Sequence, residues 1–131
     1  AIVSARQKSP LTTTDQLVRV ILDSIPKARQ HSRIHPATRT FQALRIAVNH
    51  EIENIEKGLA AAAELTDLNG RIAVISFHSV EDRAVKNFFK NPNLRQEFKA
   101  VTKHVIRPSH QEVLKNPRAR SAKMRVYEKI L

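Results

Sequence analysis

The chain has 131 residues, enough for one compact core. It carries 23 Lys and Arg against 12 Asp and Glu, and the formal charge of +11 points to an anionic partner, nucleic acid first. Zero cysteines exclude disulfides, thiolate catalysis and cysteine-ligated zinc, and no apolar run nears the ~18 residues of a membrane span, so we expect a soluble, cytoplasmic protein. The basic residues are spread along the chain, which favours a folded basic surface over a disordered arm. One Tyr and no Trp argue against a base-stacking sheet of the RNA-recognition type.

Ala1 to Arg6 reads as the middle or end of a helix with no N-cap before it, so the chain is expected to be a piece of something longer. Ser9-Pro10 breaks that segment, and Thr13 to Gln16 has capping-box spacing. Leu17, Val20 and Ile21 then follow a helical period up to Pro26, predicting a helix from Thr14 to Ser24. Lys27 to Arg33 reads as a basic loop. Phe41, Leu44, Val48, Ile52, Ile55 and Leu59 form one continuous apolar stripe, predicting a long helix that Gly58 bends or breaks. Glu53 and Lys57 are spaced as an i,i+4 pair on its exposed side.

Asn69-Gly70 marks a turn, and Ile72-Ala73-Val74-Ile75 reads as a strand covered on both faces, as in a parallel sheet. Ser79 to Asp82 has N-cap spacing for the next helix, whose buried face carries Val85, Phe88 and Phe89 and which Asn91-Pro92 stops. Phe98 to Arg107 reads as a strand, and Pro108 to Lys115 as a loop with about one helical turn. Last, Ala122, Met124, Val126 and Ile130 alternate with Lys123, Arg125, Tyr127 and Lys129, predicting a half-buried strand with one basic face. The order of helix, strand, tight turn and helix is α/β grammar.

Three stretches carry candidate chemistry. Ser76-Phe77-His78-Ser79-Val80-Glu81-Asp82-Arg83 lies where a strand ends and a helix begins, the edge at which open α/β sheets bind ligands. His78 and Ser79 are the catalytic candidates there, and Ser76 and His78 candidate substrate contacts. The bland alternative is that Ser79 and Asp82 only cap the helix while Glu81 and Arg83 face solvent. A Ser/His/Asp hydrolase is a weaker reading, because adjacent residues rarely converge into a triad. The second stretch, His35 to Arg45, opens the long helix with hydroxyls and guanidinium groups. Thr38 or Thr40 is a candidate N-cap, and Arg39 and Arg45 are candidate phosphate contacts or simply solvated. In the third, Asn116 to Ser121, Arg118 and Arg120 stand before the final strand as RNA contacts or as a generic basic loop. His31 and His35 have i,i+4 spacing, but no carboxylate accompanies them, and no metal is expected.

Taken together, HPATRTFQALRIAVNHEI (His35–Ile52), RIAVISFHSVEDRAVKNFF (Arg71–Phe89) and NPRARSAKMRV (Asn116–Val126) resemble the MraW-type family of ribosomal RNA methyltransferases, in the family's order and over most of residues 34–131. The resemblance implies an α/β fold: the C-terminal part of a Rossmann-like S-adenosylmethionine-dependent methyltransferase domain, with about three strands plus helices. Residues 1–33 would be the end of an inserted helical domain, and residues 34–131 the C-terminal part of the methyltransferase domain. Ile72–Phe77 would be the fifth strand, with the last two strands an antiparallel pair at the sheet edge. The implied activity is N4-methylation of a cytidine in the decoding region of 16S rRNA in the small ribosomal subunit. His50, Val80 and Asn69 depart mildly from the family pattern. The large departure is the absence of a glycine-rich donor loop, since Gly58 and Gly70 are the only glycines. The donor would therefore be bound mainly by a missing N-terminal half, no residue here is assigned to it, and the chain alone should be inactive. The open edge of Ile72–Phe77 should be met by that half or by a second copy. The competing reading is a non-catalytic basic RNA-binding module.

Overall fold

The computed structural model describes residues 1–30 and 34–131, and of Arg29 only the backbone. His31 and the end of the predicted Lys27–Arg33 loop lie outside the described residues. The described residues divide into two compact units, Ala1–Asn49 and His50–Leu131.

The first unit is helical. Helix α1 spans Ile2–Lys8, α2 Thr14–Asp23, α3 Lys27–Gln30 and α4 Thr38–Val48. The capping box at α2 forms as its spacing predicts: Thr13 Oγ1 accepts from the Gln16 N–H at 3.3 Å, and Gln16 Oε1 accepts from the Thr13 N–H at 3.1 Å. The start of the expected basic loop is instead α3. Gln30 explains why that turn is kept, for its amide donates to the carbonyls of Leu22 and Ile25, each at 2.9 Å, and so satisfies the end of α2. The N-cap of α4 is Ala37, not Thr38 or Thr40, and the Ala37 N–H donates to His35 Nδ1 at 3.2 Å.

The predicted single long helix is two helices. The left-handed backbone of His50, φ 51°, separates α4 from α5, Glu51–Leu65. Gly58 does not break α5, which runs on to Leu65. It sits on an open side where a Cβ would meet nothing within 4 Å. The ~1 kcal/mol helix penalty of glycine is outweighed there by packing through Ile55, Leu59 and Ala63. Glu53 lies 3.3 Å from His50 Nδ1 in place of the expected Lys57.

The second unit, His50–Leu131, holds the sheet. After α5 come β1 (Arg71–Ser76), α6 (Ser79–Phe88), α7 (Pro92–Glu97), β2 (Phe98–Ala100), α8 (His110–Lys115), a 3-10 turn (Pro117–Ser121) and β3 (Lys123–Lys129). The turn into β1 uses Asn69 at φ 65°, and a Cβ on Gly70 would meet the Asp67 carbonyl at 2.7 Å, so glycine is required. The sheet order is β1-β3-β2, all antiparallel, with Ile72 opposite Tyr127 and Ala100 opposite the same residue. The expectation of a parallel, doubly covered β1 therefore fails within this chain. Ile72 is buried on one face while Ile75 on the other is 59% exposed. The predicted Phe98–Arg107 strand is three residues plus an isolated bridge from Ile106 to Met124.

One face of the sheet makes the core. Ile72, Phe98 and Tyr127 pack with Leu59 and Ala63 of α5, Val85 of α6 and Phe89 just after it. Phe89 stacks on Tyr127, ring centroids 3.8 Å apart. This inverts the expectation for β3. Its basic side shares the helix-facing register with Tyr127, and Arg125 and Lys129 are anchored there, Arg125 on Asp82 and Lys129 Nζ on the Ala63 carbonyl at 3.2 Å. Burial of these stems beside a carboxylate and a carbonyl is what lets a basic strand face inward.

Candidate functional site

The turn from β1 into α6 is built by two residues that bind each other's backbones. His78, not Ser79, is the N-cap: its Nδ1 accepts from the Glu81 N–H at 3.2 Å. Glu81 Oε2 answers by accepting from the N–H groups of Phe77, at 2.8 Å, and His78, at 3.1 Å. An imidazole has replaced the usual hydroxyl of a capping box. The reading in which Glu81 is merely solvated is thereby corrected.

With Nδ1 accepting, the proton of a neutral His78 ring belongs on Nε2, an assignment that follows from the hydrogen-bond network. Nε2 is buried and makes no hydrogen bond among the described residues. It faces Glu81 Oε1 at 3.3 Å and Glu51 Oε2, from the first turn of α5, at 3.8 Å. Glu51 was missed in the sequence because it is 27 positions away from His78 in the chain and nothing local marks it. The two carboxylates offer acceptors that can hold an amine or amide at the β1 edge. The ligand atoms of Glu51, His78 and Glu81 also lie within 4.8 Å of one another, close enough for a metal. The arrangement does not suit one. A metal on Nε2 needs the lone pair there, and the other lone pair is already committed to the Glu81 N–H.

Asp82 faces the opposite way, into β3. Its carboxylate takes Arg125 Nε at 2.8 Å and the second guanidinium nitrogen at 3.2 Å, with Lys123 at 3.7 Å. The hydrogen bond from Arg125 holds the Asp82 carboxyl below its ordinary range despite opposition from burial, and Asp82 in turn raises Arg125. Burial pushes the Tyr127 phenol up. At the far end of the sheet, Arg71 and Lys99 hold Glu128 below its ordinary range.

Ser76 is 5% exposed, and its hydroxyl donates to the Lys123 carbonyl at 3.4 Å. Ser79 is exposed on the first turn of α6 and lies next to His78 in the chain. Arg83 is exposed. In the other unit, Arg39 is exposed on α4, while Arg45 lines a shallow groove with Thr38, Phe41 and Gln42. Arg118 and Arg120 are exposed on the 3-10 turn, which Asn116 caps and the buried Ala119 pins. The structure thus brings His78 together with Glu51 and Glu81. The arginine candidates are exposed, Arg39 and Arg45 in the first unit and Arg118 and Arg120 in the second.

The described residues do not form a cradle for S-adenosylmethionine. A donor loop needs glycines where backbone approaches ligand. The β1–α6 turn has none, Gly58 is inside a helix, and Gly70 is closed in by its own turn. No helix of the described residues is long and apolar enough to cross a membrane.

The sequence profile of the MraW methylase family matches residues 1–130. Among curated relatives, a protein of Citrifermentans bemidjiense named ribosomal RNA small subunit methyltransferase H is 50% identical over 98% of this chain and 46% of its own length. Proteins of the same name from Ehrlichia ruminantium and Persephonella marina are 48% and 45% identical over 99% of the chain, which covers 46% and 44% of them. The chain spans a little under half the length of these relatives. A match over nearly every residue, with the polar turn and the paired strands that the motifs imply, leaves one assignment: the chain belongs to the MraW methylase family.

Proposed function

We propose that this chain is the C-terminal part of an S-adenosylmethionine-dependent methyltransferase that methylates N4 of a cytidine in the decoding region of 16S rRNA, acting on the small ribosomal subunit in the cytoplasm. The family match over residues 1–130 carries the reading. On it, residues 1–33 end an inserted helical domain and residues 34–131 complete a Rossmann-like domain. The donor supplies an electrophilic methyl on sulfonium and is held mainly by the missing N-terminal half. The open edge of β1 and the exposed Ile75 support a covering partner, that half or a second copy.

The residues of this chain bind and orient. The N4 lone pair of cytosine is delocalised into the ring, so reaction needs an acceptor for its N–H and a held geometry, with the base out of any stack. The carboxylates of Glu51 and Glu81 about His78 are acceptors of that kind at the β1 edge. His78 and Ser79 face the cytosine edge in this reading, Ser76 supports the turn, and Arg39, Arg45, Arg118 and Arg120 meet RNA phosphates.

The test fuses this chain behind the N-terminal half of the Citrifermentans relative and supplies labelled donor with unmethylated small subunits. N4-methylcytidine should appear in digested rRNA with the fusion and not with the chain alone. A folded, donor-binding fusion that never methylates, or one that methylates a different base, overturns the reading. Robust transfer by the chain alone overturns the division of labour.

A further inference from the structure

At the β2 edge, the helix-facing side of the sheet ends in a groove of about 540 Å³ between α6, α7 and β2. Its floor is closed. Phe89, Phe98 and Tyr127 are 4%, 3% and 8% exposed and packed ring on ring, so they have no free face for a stacked base. Its rim is cationic: Lys86 comes from the last turn of α6, Lys90 from the turn that follows it, and Arg95 from α7. No carboxylate lines it. Lys99 also borders the groove, but its ammonium lies 3.0 Å from Glu128. Among the described residues, no carboxylate lies within ion-pair distance of Lys86, Lys90 or Arg95, and Asp82, one turn back on α6, acts on Lys86 only from farther off.

The ordinary explanation of lysines at a helix end is the macrodipole. That dipole amounts to about half a negative charge at the C-terminus, which leaves most of three fixed positive charges unanswered. A row of unpaired cations over a closed apolar floor suits a repeating anion held by its charge, with no pocket for a side chain or base. We propose that this groove binds the phosphodiester backbone of RNA, a second contact surface beside the arginines already named. The inference rests on the rRNA reading for its choice of polyanion. Because the floor reads no base, the contact is independent of sequence.

Each phosphate neutralised contributes ~0.7 (single strand) to ~0.9 (duplex) to the slope of log affinity against log salt, so three cations contribute ~2–3. The experiment measures binding of the 131-residue chain to a labelled decoding-region hairpin and to an unrelated hairpin of equal length, across a salt series. The variant Lys86→Gln/Lys90→Gln/Arg95→Gln should lower the slope by ~2–3 and weaken both hairpins by about 100-fold near 0.1 M salt. The charge-keeping variant Lys86→Arg/Lys90→Arg/Arg95→Lys should restore both quantities. If the triple variant loses its circular dichroism signal, the single Gln variants carry the test, each lowering the slope by ~0.7–0.9. An unchanged slope in folded variants overturns the groove and leaves the rRNA reading standing. Failure of the parent chain to bind either hairpin overturns both. Polyglutamate that displaces RNA at equal charge concentration, with the same dependence on the three cations, replaces RNA by an acidic polypeptide as occupant.

Discussion

Replacing Arg125 by Met tests how the inward-facing basic strand is held. The guanidinium makes two bonds to Asp82, at 2.8 and 3.2 Å, and the two side chains are 23% and 16% exposed. Hydrogen bonds to charged groups are worth roughly 1.5–3 kcal/mol. Asp82 keeps Lys123 at 3.7 Å, and the pair lies near solvent, so the expected loss is about 2 kcal/mol at neutral pH. On a domain of 60–100 residues, that lowers Tm by ~8–16 °C. The loss should depend on pH in a stated direction. Arg125 depresses the folded-state pKa of Asp82. The stabilisation is therefore fully present above the unfolded carboxylate value of ~3.9 and is lost as pH falls through the lower folded value. Thermal melts followed by circular dichroism, from pH 7 down to the acid limit at which the chain still folds, with Asp82→Asn standing for the protonated carboxyl and completing a double-mutant cycle, would measure it. A deficit under ~0.5 kcal/mol at pH 7, or one that persists unchanged once Asp82 is protonated, refutes the reasoning.

Two other outcomes are expected. Phe89→Ala should cost ~3–5 kcal/mol in urea denaturation, because the ring is 4% exposed and stacked on Tyr127; a loss below ~1 kcal/mol would mean that the core closes elsewhere. His78→Ala should cost ~1 kcal/mol and His78→Asn should recover most of it, since asparagine caps well; equal losses in the two variants would deny the capping role of Nδ1.

The sequence showed what depends on neighbours in the chain. Thr13 and Gln16 specify their own capping box, Asn91-Pro92 ends α6, and the apolar run Ile72–Ile75 is a strand wherever it pairs. It misled where an alternation has two possible insides. In β3 the period of two was right, but the rule that apolar goes inward chose the wrong face, because Asp82 and the α5 carbonyls are distant in sequence. The break at His50 was invisible for a different reason: one residue at positive φ interrupts a stripe without changing its composition. At the β1 edge, His78 was legible as a candidate because ligands of open α/β sheets bind where strands end and helices start. Its role as cap belonged to a backbone geometry that moved the helix start back by one position.

The inversion of β3 also changes what the net charge means. A charge of +11 read from composition is a uniform property, but the fold sorts the cations. Arg71 and Lys99 are engaged by Glu128, Arg125 and Lys123 by Asp82, and Lys129 by the Ala63 carbonyl and the Phe98 ring. Those residues hold the sheet to itself and to its helices, and their charge is largely answered on the spot. The field that a polyanion meets at close range is set by cations without such partners, within a Debye length of about 8–10 Å. Along the second unit these include Lys86 in the last turn of α6, Lys90 just beyond it, Arg95 on α7 and Arg118 on the 3-10 turn. Strand cations and rim cations should therefore separate in experiment. Removing the first lowers stability with little change in salt dependence of binding, and removing the second does the reverse.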